Sequence, residues 1–211
     1  MVNINNVYQS VLVITNKDNR GYITPDEFNR LAEQAQNEIF ASYFAREAGY
    51  ELNAFLTSDF SDPNTYLAEK ISVFYKELAL TKLNNEFTYP DNLYRVGVVS
   101  VDDIVADRAS NEEIKYINLS PLTAPVKKQP VYTLTDSGIV VYPSTITTGV
   151  KLDYLKKPVR PKWGYVSNGT IPYYDPTVFD PDNDSYDVAA KSYNFELHPS
   201  EENNLVVNIL N

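Results

Sequence analysis

Asn16, Asp18, Arg20, Tyr22, Thr24 and Glu27 fall at the ligand spacing of a calcium-binding loop centred on Gly21. Gly21, Ile23 and Glu27 suit such a loop. Asn16 is a neutral first ligand, and Arg20 puts a cation where an oxygen should meet the ion. A second reading fits every residue. Thr24 is a helix N-cap, Pro25 takes the first helical position, and Glu27 closes a capping box. Phe28, Leu31, Ala35, Ile39 and Tyr43 then form an apolar stripe at helical spacing, widened by Ala32 and Phe40. The segment is therefore expected to specify architecture, not a metal site.

Three other groups could do chemistry. Asp180, Asp182 and Asp184 have alternate spacing, which in a turn can converge on a hard cation. Ser185, Asp187 and Lys191 break the rest of the motif, so a solvated acidic loop is expected, with a weak structural ion as the alternative. His198 is the single histidine and precedes Pro199. Without a chemical partner it is expected to cap or pack. Lys156, Lys157, Arg160 and Lys162 lie beside Trp163, a mixture that can neutralise and stack nucleic acid. Pro158 and Pro161 interrupt the run, which reads instead as an extended arm. Five aspartates lie between Asp175 and Asp187, so a basic arm on one copy could face an acidic loop on the next. The expected interface set is Lys156, Lys157, Arg160, Lys162, Trp163, Asp180, Asp182 and Asp184. No residue is assigned a catalytic or cofactor-binding role, and no cofactor is expected.

The known phosphate-binding, nucleophile-elbow and zinc-helix motifs are absent. Carboxylates are plentiful, but no pair is set apart by its context as a glycosidase pair would be. The 17 tyrosines could form a sugar-binding face, or could serve protein interfaces, where they bury area at low entropic cost.

Of 211 residues, 43% are hydrophobic and 13% aromatic, a globular composition. Cysteine is absent, which excludes disulfides and thiol nucleophiles. A net charge of −10 repels a phosphate backbone and argues against sequence-specific nucleic-acid binding. The first residues lack a charged region before an apolar run, so no signal peptide is expected, and no apolar run is long enough to span a bilayer.

These residues must be positioned by an α+β fold. Residues 1–86 read mainly as helices: one carrying Ile4, Val7, Val11 and Ile14, one from Pro25 to about Ala48 with Gly49 as its cap, and one in which Leu67, Ile71, Phe74 and Leu78 recur, its end left open because the chain after Tyr75 also reads as extended. Residues 87–160 read as an antiparallel β part with one short helix, opened by a capping box at Ser110–Glu113. Val131–Thr135 and Ile139–Tyr142 predict a hairpin, with Gly138 in the left-handed position of a bulged turn. Residues 161–192 read as an extended Pro- and Asp-rich arm. Residues 193–211 read as a strand at Tyr193–Leu197 and a helix from Pro199. The helical part is expected to pack beside the β part as one structural unit.

NVYQSVLVITNKDNRGYITPDEFNRLAEQAQNEIFASYF, YPDNLYRV, PVYTLTDSGIVVYPS, VKLDYLKKPVRPKWGYV and FELHPSEENNLVVNIL together resemble a virion structural protein family of tailed bacteriophages. They are most similar to the neck or ring proteins of crAss-like phages infecting gut Bacteroidetes. The resemblance touches most of the chain and carries no active-site motif. It implies a ring-forming head-to-tail connector that extends the DNA channel below the portal. Its implied partners are copies of itself, the portal and other neck or tail proteins. Genomic DNA would pass nearby without sequence-specific binding, and no membrane is involved. It further implies synthesis in the host bacterial cytoplasm and a place in the virion. A carbohydrate-binding module using exposed Tyr and Trp163 is the alternative, and a wall-degrading virion hydrolase a third.

Overall fold

The computed structural model describes residues 1–17, 23–50, 63–167, 171–177 and 191–210, excepting the side chains of 45–50 and 63–65. Helices and antiparallel-to-mixed sheets coexist in an α+β fold that ends in a helix. Two compact units are present, one from Met1–Val73 with Pro158–Asn211, the other from Phe74–Lys157. Among the described residues, no helix is long and apolar enough to cross a membrane.

In the first unit, α1 (Ile4–Lys17) buries Ile4, Val7, Tyr8 and Val11, while Ile14 points outward. The next helix, α2 (Pro25–Tyr50), starts at the expected capping box. Glu27 Oε2 accepts the Thr24 N–H (2.9 Å) and hydroxyl (2.7 Å), and Thr24 Oγ1 accepts the Glu27 N–H (3.3 Å). The Glu27 carboxylate, the would-be bidentate calcium ligand, is thus committed to the cap. Positions 18–22 of that loop lie outside the described residues. The helix continues through Gly49, so this glycine does not terminate it. Phe28, Ala32, Ala35, Ile39, Phe40 and Tyr43 are buried as the stripe predicts, each large one contributing about 1.5–3 kcal/mol. Leu31 is 37% exposed, and Asn29 and Gln36 are buried instead.

α3 (Pro63–Ser72) ends before Phe74, and the chain is extended from Tyr75, the second of the two readings of its pattern. Leu78 belongs not to the helix but to strand β1 (Tyr75–Ala79), where it pairs opposite Leu152. The chain closes with a 3₁₀ turn (Pro199–Glu201) leading into α5 (Glu202–Leu210), which packs on α1 and α2 through Leu205, Val206 and Ile209. Residues 193–197 are extended but form isolated bridges, Tyr193 with Lys162 and Phe195 with Val2, rather than a strand.

The second unit holds two sheets. β1, β9 (Val150–Lys156), β4 (Leu93–Val101) and β5 (Ile104–Val105) form one, in the order β1-β9-β4-β5. β2 (Lys82–Leu83), β3 (Glu86–Thr88), β8 (Gly138–Tyr142), β7 (Val131–Leu134) and β6 (Asp107–Arg108) form the other, with β6 parallel to β7. Phe87, Tyr132, Ile139 and Val141 of one sheet share a core with Val99, Val101, Leu152 and Tyr154 of the other. Alternation drives this in β9, where Val150, Leu152 and Tyr154 point inward. The β7–β8 hairpin has the predicted partners, Val131 with Tyr142 and Leu134 with Ile139.

Gly138 does not take a left-handed conformation; its need for glycine is a close approach, since a β-carbon there would overlap the Phe87 carbonyl oxygen. Two other hairpins turn on Asn84-Asn85 (φ 48° and 75°) and Asp102-Asp103 (φ 48° and 66°), residues that tolerate the left-handed region. Between β6 and β7 the chain makes a long excursion through α4 (Glu113–Ile117). Its capping box is formed: the Ser110 N–H donates to Glu113 Oε2 (2.8 Å), and the Glu113 N–H to Ser110 Oγ (3.2 Å).

Candidate functional site

The basic run beside Trp163 is divided between the two units. Lys156 and Lys157 close the Phe74–Lys157 unit, whereas Arg160, Lys162 and Trp163 belong to the other. Lys157 is exposed, and Arg160 Nε forms an ion pair with Glu33 Oε2 at 2.6 Å. Lys162 is buried, and its backbone exchanges both hydrogen bonds with Tyr193 (2.9 and 2.8 Å). Trp163 is only 2% exposed; its ring packs on Tyr8 at 4.1 Å, and its indole N–H donates to Asn5 Oδ1 (3.1 Å). The segment is extended, as expected, but it is built into the unit rather than projecting as an arm. Trp163 therefore offers no exposed face on which a sugar ring or a base could stack. Asp180, Asp182 and Asp184 lie outside the described residues.

What holds this segment is a row of polar side chains on α2. Asn29, Glu33 and Gln36 recur at helical spacing and share a face. Asn29 Oδ1 accepts the Trp163 N–H (2.7 Å) while its Nδ2 donates to the Trp163 carbonyl (3.2 Å). Gln36 Nε2 donates to the Val159 carbonyl (2.8 Å), and Gln36 Oε1 accepts the Glu196 N–H (3.1 Å). Buried Glu196 completes the row, accepting the Val159 N–H (2.9 Å) and the Tyr193 hydroxyl (2.9 Å). Two amide side chains thus act as strand substitutes for backbone that no sheet pairs.

A second polar centre joins α3 to the C-terminal turn. Lys70 forms an ion pair with Glu201, both buried, and its ammonium sits 4.2 Å from the Tyr66 ring centroid. Burial pushes the Glu201 carboxyl up, but hydrogen bonds from Lys70 and Asn204, the Lys70 charge and the Tyr43 hydroxyl outweigh it and hold the group below its ordinary value. The Tyr66 phenol is also held low, first by the Ser200 hydroxyl and then by Lys70. His198 Nδ1 lies 3.0 Å from Ser200 Oγ, a distance that suits a nucleophile and its base. The same nitrogen accepts the Ser200 N–H at 3.3 Å, so the contact is the cap of the Pro199–Glu201 turn that the His-Pro junction predicts. These groups are committed to one another and fasten the C-terminal helix.

The surface of the second unit has a different character. Phe74–Lys157 holds ten of the 18 Lys and Arg and ten of the 28 Asp and Glu. It is formally neutral, and the whole net charge of −10 lies on the other unit, with eight cations against eighteen acids. No protein-family model matches the chain, and no curated protein matches it in sequence.

Large apolar side chains stand exposed on the neutral unit. In the excursion before β7, Tyr116 is 74%, Leu119 77% and Leu122 94% exposed, with Val126 close by. Beside this lip of residues is a groove of about 520 Å³, lined by Asp107, Arg108 and Glu113 as well as by Ile117, Pro121 and Pro125. All five residues of β1, an edge strand, are also exposed, but Lys76 and Glu77 guard that edge against further pairing. Sequence reading found the three prolines that shape the excursion and missed the lip. The available signal was a stretch from Ile114 to Pro130 with three lysines and no acid, threaded with apolar residues.

Proposed function

We propose that the chain is a non-enzymatic structural subunit of a tailed-phage virion, a ring-forming head-to-tail connector that extends the DNA channel below the portal. The observation that carries the reading is the apolar lip on a formally neutral unit. Exposed apolar patches on a folded chain mark partner surfaces, and a neutral unit can approach other copies of an acidic protein without strong repulsion. The resemblance of the quoted segments to neck proteins supports the same reading. Its partners are further copies of the chain, the portal and neighbouring neck or tail proteins, and its place is the virion. The acidic unit would repel phosphates, as suits a protein beside which DNA must pass.

Quantitative mass spectrometry of gradient-purified particles tests the proposal. A whole-number ratio to the portal protein, kept through a high-salt wash, is the expected result. Absence of the chain from particles would overturn it.

A further inference from the structure

We infer that the excursion between β6 and β7 is the contact by which one copy of the chain grips the acidic unit of a second copy. The inference rests on the self-assembly reading above and names its surface. Leu122 is the most exposed large apolar residue described, and Tyr116, Leu119 and Val126 accompany it. An unanchored loop would fold such residues inward or let them move. This one is fixed from within. The Leu119 N–H donates to Tyr116 O (3.1 Å), the Thr123 and Ala124 N–H groups to Ser120 O (3.1 and 2.9 Å), and the Gln129 N–H to Val126 O (2.9 Å). The Thr123 hydroxyl reaches back to Ile117 O (3.0 Å), and Pro121, Pro125 and Pro130 restrict the backbone further. These contacts restrict the conformations open to the lip and so reduce the ordering entropy that binding costs.

Charge selects the occupant. Lys115, Lys127 and Lys128 of the excursion are exposed and no Asp or Glu lies between Ile114 and Pro130, while Asp107, Arg108 and Glu113 line the groove beside it, leaving the patch net basic. The complementary surface is an acidic one with apolar residues of its own. The Met1–Val73 and Pro158–Asn211 unit of another copy fits, carrying all of the net charge and exposed Val13, Leu31 and Val207. A contact of one patch with a different patch is heterologous, the kind that propagates from copy to copy.

The test uses the full chain, as an equal mixture of ¹⁴N and ¹⁵N protein, with a zero-length carbodiimide cross-linker. The expected result is mixed-isotope links from Lys127 or Lys128 to acids of Met1–Val73 or Pro158–Asn211. Sedimentation velocity should show association that weakens at least tenfold between low and high salt, as charge pairing requires. Lys127→Glu with Lys128→Glu should weaken it at least tenfold at low salt, and Leu119→Ser with Leu122→Ser should abolish it. These side chains are exposed, so unchanged circular dichroism will show that the variants fold. A monomer that gives no mixed-isotope link, links confined to single copies, or association untouched by both double variants would overturn the inference. If the chain were nonetheless stoichiometric in particles, the virion reading would stand and only this surface would fall.

Discussion

Asn29 holds Trp163 by both of that residue's backbone hydrogen-bonding groups, accepting its N–H at 2.7 Å and donating to its carbonyl at 3.2 Å across 134 positions of sequence. Among the described residues, an isolated bridge from Lys162 to Tyr193 is the only β pairing of residues 159–164, so side chains of α2 satisfy the buried backbone on either side of it. The consequence is that a helix stripe which looks merely amphipathic carries specific long-range information.

Replacing Asn29 by Ala should therefore cost more than its small volume suggests. It strands a buried N–H and a buried carbonyl, each at about 1–3 kcal/mol. Urea unfolding followed by the fluorescence of Trp163, the only tryptophan, should show a midpoint loss of that order. Leu31→Ala, on the same helix but partly exposed, should shift the midpoint by less than about 1 kcal/mol. Equal losses at the two sites would refute the bridging role.

The two capping boxes give a smaller and more local expectation. Thr24→Ala removes a cap of α2 and Ser110→Ala a cap of α4, each costing about 1 kcal/mol. Glu27 and Glu113 are both held below the ordinary carboxylate value, by the backbone N–H of Thr24 and of Ser110 first and their hydroxyls second. An NMR titration of Glu27 and Glu113 should show each carboxyl moving back toward its ordinary value when its hydroxyl partner is removed.

Local patterns explain why parts of the fold were legible. The Thr24–Glu27 and Ser110–Glu113 boxes, the inward alternation of Val150, Leu152 and Tyr154, and the hairpin from Val131 to Tyr142 depend on neighbours within a few residues. Trp163 does not. Its sequence neighbours are lysine and glycine, and its burial comes from Tyr8, Asn5 and Asn29, far along the chain. Asn29 and Gln36 were hidden because a hydrophobic count treats amides as surface. The Asn84-Asn85 and Asp102-Asp103 turns left a signal, paired residues that tolerate positive φ between strand formers. The lip left almost none, since leucine in a sequence is expected to be inside.

Asn85 offers a gain in stability. At φ 75° it sits in backbone that costs an L-residue roughly 1 kcal/mol and costs glycine little. Asn85→Gly should raise the thermal midpoint, because Asn-Gly is the preferred pair for this turn. Gly138→Ala should lower it, through overlap with the Phe87 carbonyl. If both changes acted in the same direction, the turn geometry assigned here would be wrong.

The Lys70–Glu201 pair makes the sharpest prediction because its sign is fixed by linkage. The folded Glu201 carboxyl lies below its ordinary value of 4.5, so its contribution to stability is fully present above that pH and is lost as pH falls through the folded value. Glu201→Gln leaves Lys70 buried without its counter-charge and should cost about 3–5 kcal/mol at neutral pH. The gap between wild type and Glu201→Gln in urea unfolding should narrow as pH drops from 4.5 through the lower folded value, because the unfolded carboxyl takes up its proton before the folded one does. Lys70→Met combined with Glu201→Leu should recover most of the loss, since an apolar pair needs no counter-charge. A gap constant with pH would mean that the charge of Glu201 contributes nothing and that its packing alone holds the C-terminal turn.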